Sequence, residues 1–399
     1  MSESASAFRS DGRWLQGGLA AALATTLLAA CAGTPARDGP WASGAIGTYT
    51  VAARVDHEIA RYYLEDYPAP HATDWRSDIA TYERSVEARS ADRDTFREIA
   101  ADSGSTDLSA LLFLHRLQRD ADNRRLAHCL EEVDSRLRDD GAWTELAIAR
   151  DRFHVLLVPG WLHEDQATTE ADFQRTRAAL RHAGINHTLL PTPQDGTVEE
   201  NARQLAEYVR TSDEAEIIIV SASKSGAEVH HALGHLLSPT EAEPVRAWIN
   251  AGGMIHGTAL ANAWTRLPRS LVARPLMAWQ GWSWESLRSL RTDRAEARLQ
   301  SSELPPDLLV INYVAVPMAS QMTHGAERRH RHLSRFGPND GATLLMDAKV
   351  DTGLTLAEPG ADHYFLRIDI GRRTLAMTRV IQLLVDDAPC PALAQPDDN

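Results

Sequence analysis

The chain has few cysteines, no internal repeat, no surplus of positive charge and no apolar run long enough to span a membrane, and each lack removes a class of protein. A formal charge of −14 at pH 7 leaves no clustered basic surface over most of a domain, which a general nucleic-acid binder needs. No Glu or Cys stands in zinc-site spacing beside His231 and His235, or beside His324, His330 and His332, so metal catalysis is not expected and no cofactor is called for. Apart from Cys31, only Cys129 and Cys390 are available for a bridge; an exported chain can pair them, but distance along the sequence leaves the pairing open. What is present is an ordinary globular composition, 43% apolar and 24% charged over 399 residues, enough for one large domain and an appendage.

Arg9 and Arg13 precede a small-residue apolar stretch from Trp14 to Ala30, about the length of a signal-peptide core and short for a membrane span. It ends in Leu28-Ala29-Ala30-Cys31, after which Gly, Pro and charge take over. Leu-Ala-Ala-Cys resembles the lipobox of bacterial lipoproteins. That resemblance implies that residues 1–30 are removed and that Cys31 becomes a lipidated N-terminus anchored in a membrane of the cell envelope. The competing readings are an uncleaved anchor and a plain secretory signal, and the acidic Glu3 and Asp11 depart from the usual leader pattern. By resemblance to enterobacterial lipoproteins, Ala32 in place of Asp after the cysteine implies the periplasmic side of the outer membrane in preference to the inner membrane.

Residues 31–50 read as a tether, Gly- and Pro-rich from Pro35 to Trp41, and residues 51–150 as a helical region with charged faces, as in Val55 to Leu64 and Leu108 to Leu117. The texture changes at Phe153. His154-Val155-Leu156-Leu157-Val158, ended by Pro159-Gly160, has the form of a buried strand. Helices are expected at Phe173 to His182, Val198 to Arg210, Ala227 to Leu236 and Arg372 to Val385. Strands are expected at Asn186 to Leu190, Glu216 to Val220, Arg246 to Asn250, Asp307 to Val316 and Leu354 to Ala357. Such alternation over residues 151–390 predicts an α/β class with a mostly parallel sheet flanked by helices and a ligand beyond the carboxyl ends of its strands.

Ser221-Ala222-Ser223-Lys224-Ser225-Gly226 stands between the β-branched run Ile217-Ile218-Ile219-Val220 and a helix. Strand, tight turn of small residues and helix is the setting of a serine nucleophile elbow, with Ser223 at its apex and serines where glycines are usual two residues to either side. A serine hydroxyl is a poor nucleophile at its ordinary pKa; it needs a base, and the base needs an orienting acid. Phe336-Gly337-Pro338-Asn339-Asp340-Gly341 follows one late strand and Gly360-Ala361-Asp362-His363-Tyr364 the next. These segments, in this order, resemble those of lipases and esterases of the α/β-hydrolase fold superfamily, a resemblance that covers about Phe153 to Val385. It implies an α/β-hydrolase fold, with Ser223 as nucleophile, Asp340 as acid and His363 as base. Asp362 and Asp347 are the rival acids. The resemblance also implies an oxyanion hole made by the backbone N–H groups of Lys224 and of Trp161, with Leu162 next in line. The Lys224 side chain reads as a solvated apex residue.

Met254-Ile255-His256-Gly257-Thr258-Ala259-Leu260-Ala261 resembles a segment that shapes the pocket floor of many lipases and opens their cap, and it gives His256 no catalytic task. The insertion at about 262–304 carries Trp264, Trp279, Trp282 and Trp284 and reads either as a helical cap over an acyl pocket or as ordinary core packing. From Asn262 to Arg335 eleven arginines face six acidic residues, so this stretch is basic in an acidic chain, suited to an anionic lipid surface or equally to a solvated helix face. The expected function is hydrolysis of a hydrophobic carboxylic ester, a lipid or other acyl substrate, through an acyl-serine intermediate. An acyltransferase or amide hydrolase with the same triad, and a non-catalytic envelope lipoprotein that kept the fold, are the alternatives.

Overall fold

The isoleucine run at 217–220 forms a strand because alternate side chains find an apolar layer on each side of one sheet. Ile217 and Ile219 pack with Leu205 and Val229, while Ile218 and Val220 pack with Leu180 and Ile381. Burying each such side chain contributes roughly 1.5–3 kcal/mol. The computed structural model describes residues 38–67, 75–138, 152–165, 169–323 and 325–390. The expected leader, its Cys31, the start of the tether and His324 lie outside the described residues.

A hairpin of β1 (Trp41–Ile46) and β2 (Tyr49–Arg54) comes first, followed by helices α1 (Glu58–Glu65), α2 (Trp75–Glu87), α3 (Arg93–Ser103), α4 (Thr106–Arg119) and α5 (Ala121–Arg138). Then come β3 (His154–Val158), α6 (Gln174–Ala183), β4 (His187–Leu189), α7 (Val198–Thr211), β5 (Ile217–Ala222), α8 (Lys224–His231), α9 (Pro239–Ala242) and β6 (Val245–Ala251). Four short helices are inserted next: α10 (Ala259–Thr265), α11 (Ser270–Gln280), α12 (Trp284–Ser289) and α13 (Thr292–Leu299). The chain closes with β7 (Leu309–Val316), α14 (Ala326–Leu333), β8 (Leu354–Pro359) and α15 (Ile370–Val385). Strands β3 to β8 form one parallel sheet in the order β4-β3-β5-β6-β7-β8. Every strand expected from residue 154 onward is present, with ends shifted by at most two residues.

One expectation is corrected here. The tether was placed over 31–50 with helices from 51, yet Trp41 to Arg54 folds as a hairpin. Tyr49, Val51 and Ala53 are buried while Thr50, Ala52 and Arg54 are exposed, the period of two that marks a half-buried strand. The hairpin and α5 cover the β8 edge. Ala357 N–H donates to the Tyr49 hydroxyl at 3.2 Å and Thr355 N–H to Asn123 Oδ1 at 2.7 Å, so donors that an edge strand would leave open are occupied. Arg372 meets Asp134 at 2.8 Å and Arg373 meets Glu131 at 2.9 Å, tying α15 to α5. Cys129 and Cys390 are bonded, with Cα atoms 5.5 Å apart, and close a loop over a separation of 261 residues. On chain-entropy grounds a loop of that length stabilises by about 5–6 kcal/mol.

Candidate active site

β5 ends at Ala222 and α8 begins at Lys224, which leaves Ser223 alone to make the turn. It does so at φ 60° and ψ −123°, a backbone conformation that costs a non-glycine residue about 1–3 kcal/mol and persists only when its surroundings enforce it. Those surroundings are identifiable. Ser223 N–H donates to Ala251 O at 3.1 Å, and Ser223 O accepts from Met254 N–H at 3.0 Å and Gly226 N–H at 3.1 Å. The flanking serines have their own tasks: Ser221 Oγ accepts the Trp248 indole N–H at 2.8 Å, and Ser225 Oγ donates to Val158 O at 2.7 Å, joining the first turn of α8 to the end of β3. The position with no room for a side chain is Gly226, where a Cβ would stand 2.6 Å from Asn250 Oδ1 and 2.8 Å from Gly253 Cα.

Ser223 Oγ lies 2.9 Å from His363 Nε2, and His363 Nδ1 lies 2.7 Å from Asp340 Oδ2. The other oxygen of Asp340 accepts the N–H groups of Ala342 and Thr343, both at 2.8 Å, so the carboxylate is aimed from behind. The rival acids are committed elsewhere. Asp362 accepts from Thr323 N–H at 2.7 Å, and Asp347 pairs with Arg93 at 2.6 Å. Asp340 and Asp362 are both fully buried, so geometry, not accessibility, separates them.

In the loop after β3, Gly160 N–H donates to Ala171 O and Leu162 N–H to Gln194 O, both at 2.9 Å. Among the described residues Trp161 N–H donates to no backbone carbonyl, which leaves it rather than Leu162 free for a ligand. The loop runs close to the elbow, for a Cβ on Gly160 would come 3.6 Å from Ser223 Cβ. Lys224 N–H is the first of α8, where the unpaired amides and helix dipole favour negative charge. The Lys224 side chain corrects an expectation: it is not solvated but buried, and pairs with Glu228 one turn on. Asn201 Nδ2 donates to the same Glu228 carboxylate at 2.9 Å, and burial raises the Glu228 pKa despite the lysine.

A cavity of about 360 Å³ opens beside Ser223 and His363. Trp161, Met254, Trp264, Met277, Trp282 and Leu287 are among its walls, so it is an apolar chamber with the hydroxyl and imidazole at one point of its surface. Trp264 and Trp282 face it, Trp284 packs in the small core beneath, and Trp279 points to solvent.

No family model and no curated protein matches the chain. Solved structures do. The metagenomic carboxyl esterase MGS0156 superposes with a TM-score of 0.54 at 18% identity, over 65% of this chain and 92% of that one. The Bacillus licheniformis lipase BlEst2 in its mature form gives 0.46 at 21% identity, over 58% and 91%. Carboxylesterase CesB from Bacillus subtilis gives 0.31 at 12% identity, over 60% and 86%. The likeness to MGS0156, together with the parallel sheet, decides the architecture. The chain has the α/β-hydrolase fold.

In the α/β-hydrolase fold the reactive groups follow one another as Ser, acid, His, and here 223, 340 and 363 meet in that order at the carboxyl ends of β5, β7 and β8. Several residues that hold this site together, Asn250, Asn312 and Arg175 among them, carry no sequence motif. Asn250 on β6 donates to Asn312 Oδ1 at 3.0 Å and to Ala348 O at 2.8 Å, and Asn312 donates to Val350 O at 2.9 Å, which pins the far end of the acid loop to the sheet. Thr343 Oγ1 donates to Gly257 O at 3.2 Å and Thr258 Oγ1 to Ala342 O at 2.5 Å, so the His256-Gly257-Thr258 segment braces that loop as well as the pocket. Arg175 donates to Ile368 O at 2.8 Å and Phe365 O at 3.1 Å, and Glu170 holds it at 3.0 Å, steadying the histidine loop. Apart from the Glu170–Arg175 pair these bonds join segments distant in sequence, and only the Asn-Asp-Gly turn and the Met254 to Ala261 segment had a local signal.

Burial lowers two histidines near this framework, His230 and His330, from the usual range to about 4. Between about 6.5 and about 4 the unfolded chain therefore binds more protons than the folded one, and stability is lost as pH falls through that window, by on the order of 3 kcal/mol per histidine at full extent. Asp347, raised by burial to about 7, acts in the opposite sense over the same range. The urea midpoint of a His230→Asn/His330→Asn variant should depend less steeply on pH than the wild type between pH 6.5 and 4. Parallel curves would mean that both imidazoles are already charged in the folded protein.

Proposed function

We propose that this chain is a serine hydrolase that cleaves a carboxylic ester with a hydrophobic acyl group. The observation that supports this reading best is the unbroken relay from Ser223 through His363 to Asp340, opening on an apolar cavity of about 360 Å³. Ser223 Oγ attacks the carbonyl carbon while His363 Nε2 takes its proton. Trp161 and Lys224 N–H groups receive the negative charge that develops on the carbonyl oxygen. His363 then gives the proton to the departing alkoxide oxygen, and a water activated by the same ring releases the acid from the acyl-serine. Asp340, held by two backbone N–H groups, keeps the other ring nitrogen protonated and stabilises the imidazolium.

Labelling with a fluorophosphonate probe tests the reading. The wild type should acquire one adduct, on Ser223, and a wild type that stays unlabelled while folded would favour the non-catalytic lipoprotein. Ester cleavage and transfer to another acceptor differ only in whether water or an alcohol or amine enters last, so product analysis separates them.

The Leu28 to Cys31 segment supports a further part of the proposal: lipidation at Cys31 places the enzyme on a membrane of a bacterial cell envelope, the outer membrane by preference. Among the described residues no helix is long and apolar enough to cross a membrane. Mass spectrometry of the mature protein should find an N-terminus at a lipid-modified Cys31. An unmodified chain that begins before it would refute the anchor.

A further inference from the structure

The cap helix α11 carries large apolar side chains on two opposite sides. Ala273, Leu276 and Met277 lie in the wall of the cavity beside Ser223. On the other side Leu271 is 69% exposed and Trp279 59%, and Leu267 in the turn before the helix is 74% exposed. With Val272 these are four of the seven large apolar side chains left exposed among the described residues, gathered within thirteen positions of one another. A helix of this composition is at home when both sides are covered, and a concentrated apolar patch marks a surface made for another apolar phase.

The charge around the patch says which phase. From Arg266 to Trp284 there is no acidic residue, and Arg266, Arg269 and Arg274 are all exposed with no acidic partner among the described residues. The chain as a whole carries −14, so an anionic surface repels most of the molecule and attracts this face, which fixes the orientation. A second copy of the chain is a poor occupant, because a two-fold contact would set the three arginines against their own equivalents. We infer that the α11 face docks the cap on an anionic lipid bilayer. Leu267, Leu271 and Trp279 enter the boundary between headgroups and acyl chains, and the arginines meet lipid phosphates. The helix then separates the bilayer from the cavity by its own thickness, so an acyl ester leaving the membrane passes from one apolar surface of α11 to the other. Docking stands independently of the hydrolase reading.

Vesicle co-sedimentation tests it, with every variant made in a Ser223→Ala background so that catalysis plays no part and all share the same N-terminus. The parent should bind phosphatidylcholine vesicles containing phosphatidylglycerol at least tenfold more tightly than pure phosphatidylcholine. Arg269→Gln/Arg274→Gln should lose that preference, and Leu271→Ser/Trp279→Ser should weaken binding to both vesicles. None of these four side chains lines the cavity, so in the Ser223 background the same variants should turn over a short soluble ester at the wild-type rate if the hydrolase reading is right. Equal binding by all three proteins would overturn the inference. So would a dimer in light scattering that Leu271→Ser/Trp279→Ser dissolves, since the patch would then be a subunit contact.

Discussion

Ser223→Ala should reduce turnover of a chromogenic ester by about 10⁶-fold, the scale of effect when the nucleophile of a triad is deleted, and leave the fold intact. Removal of the hydroxyl takes away the atom that forms the acyl-enzyme. It does not touch what holds the elbow, because the strained turn is enforced by the backbone bonds of Ser223 to Ala251, Met254 and Gly226 and by the side chains of Ser221 and Ser225. Alanine has the same Cβ and meets the same backbone cost, so the melting temperature should stay within a few degrees. A purified variant that keeps wild-type turnover would show that another group does the chemistry.

Asp340→Asn should cost on the order of 10⁴ in kcat, by analogy with the same change in the serine-protease triad. The arrangement around the carboxylate says why. One oxygen accepts the Ala342 and Thr343 N–H groups at 2.8 Å, so an asparagine keeps its carbonyl oxygen there and presents its NH₂ to His363. The ring must then accept at Nδ1 and carry its proton on Nε2, where it faces Ser223 as a donor and can no longer act as a base. Asp362→Asn is the matched control: it sits one residue from His363, but its side chain serves Thr323. If the control lost activity and Asp340→Asn did not, the ring would have to turn to Asp362 in the working enzyme.

Much of this site was legible because its parts are local. A β-branched run, a turn of small residues and a helix specify an elbow within about ten positions, and Ser223 stands where those rules place it. The hairpin at 41–54 was missed although its signal was equally local: Tyr49, Val51 and Ala53 alternate with outward residues, but small residues and Gly weakened the pattern. Lys224 was misjudged for a different reason. Its partner Glu228, four residues on, was visible as a helical pair, but whether a pair lies in water or in the core depends on what packs over it, here α7 with Asn201.

The sequence by itself determined the order of strands and helices, the turn that strains Ser223, and the succession of serine, acid and histidine, because all three depend on neighbours within a turn or a strand. Only the tertiary structure decided that Asp340 and not Asp362 or Asp347 meets His363, that Cys129 meets Cys390, and that Trp264 faces the cavity while Trp279 faces out. Each of those outcomes depends on which distant segment arrives from across the sheet, and the hydrogen bonds and apolar surfaces that select the partner come into being only when the layers pack.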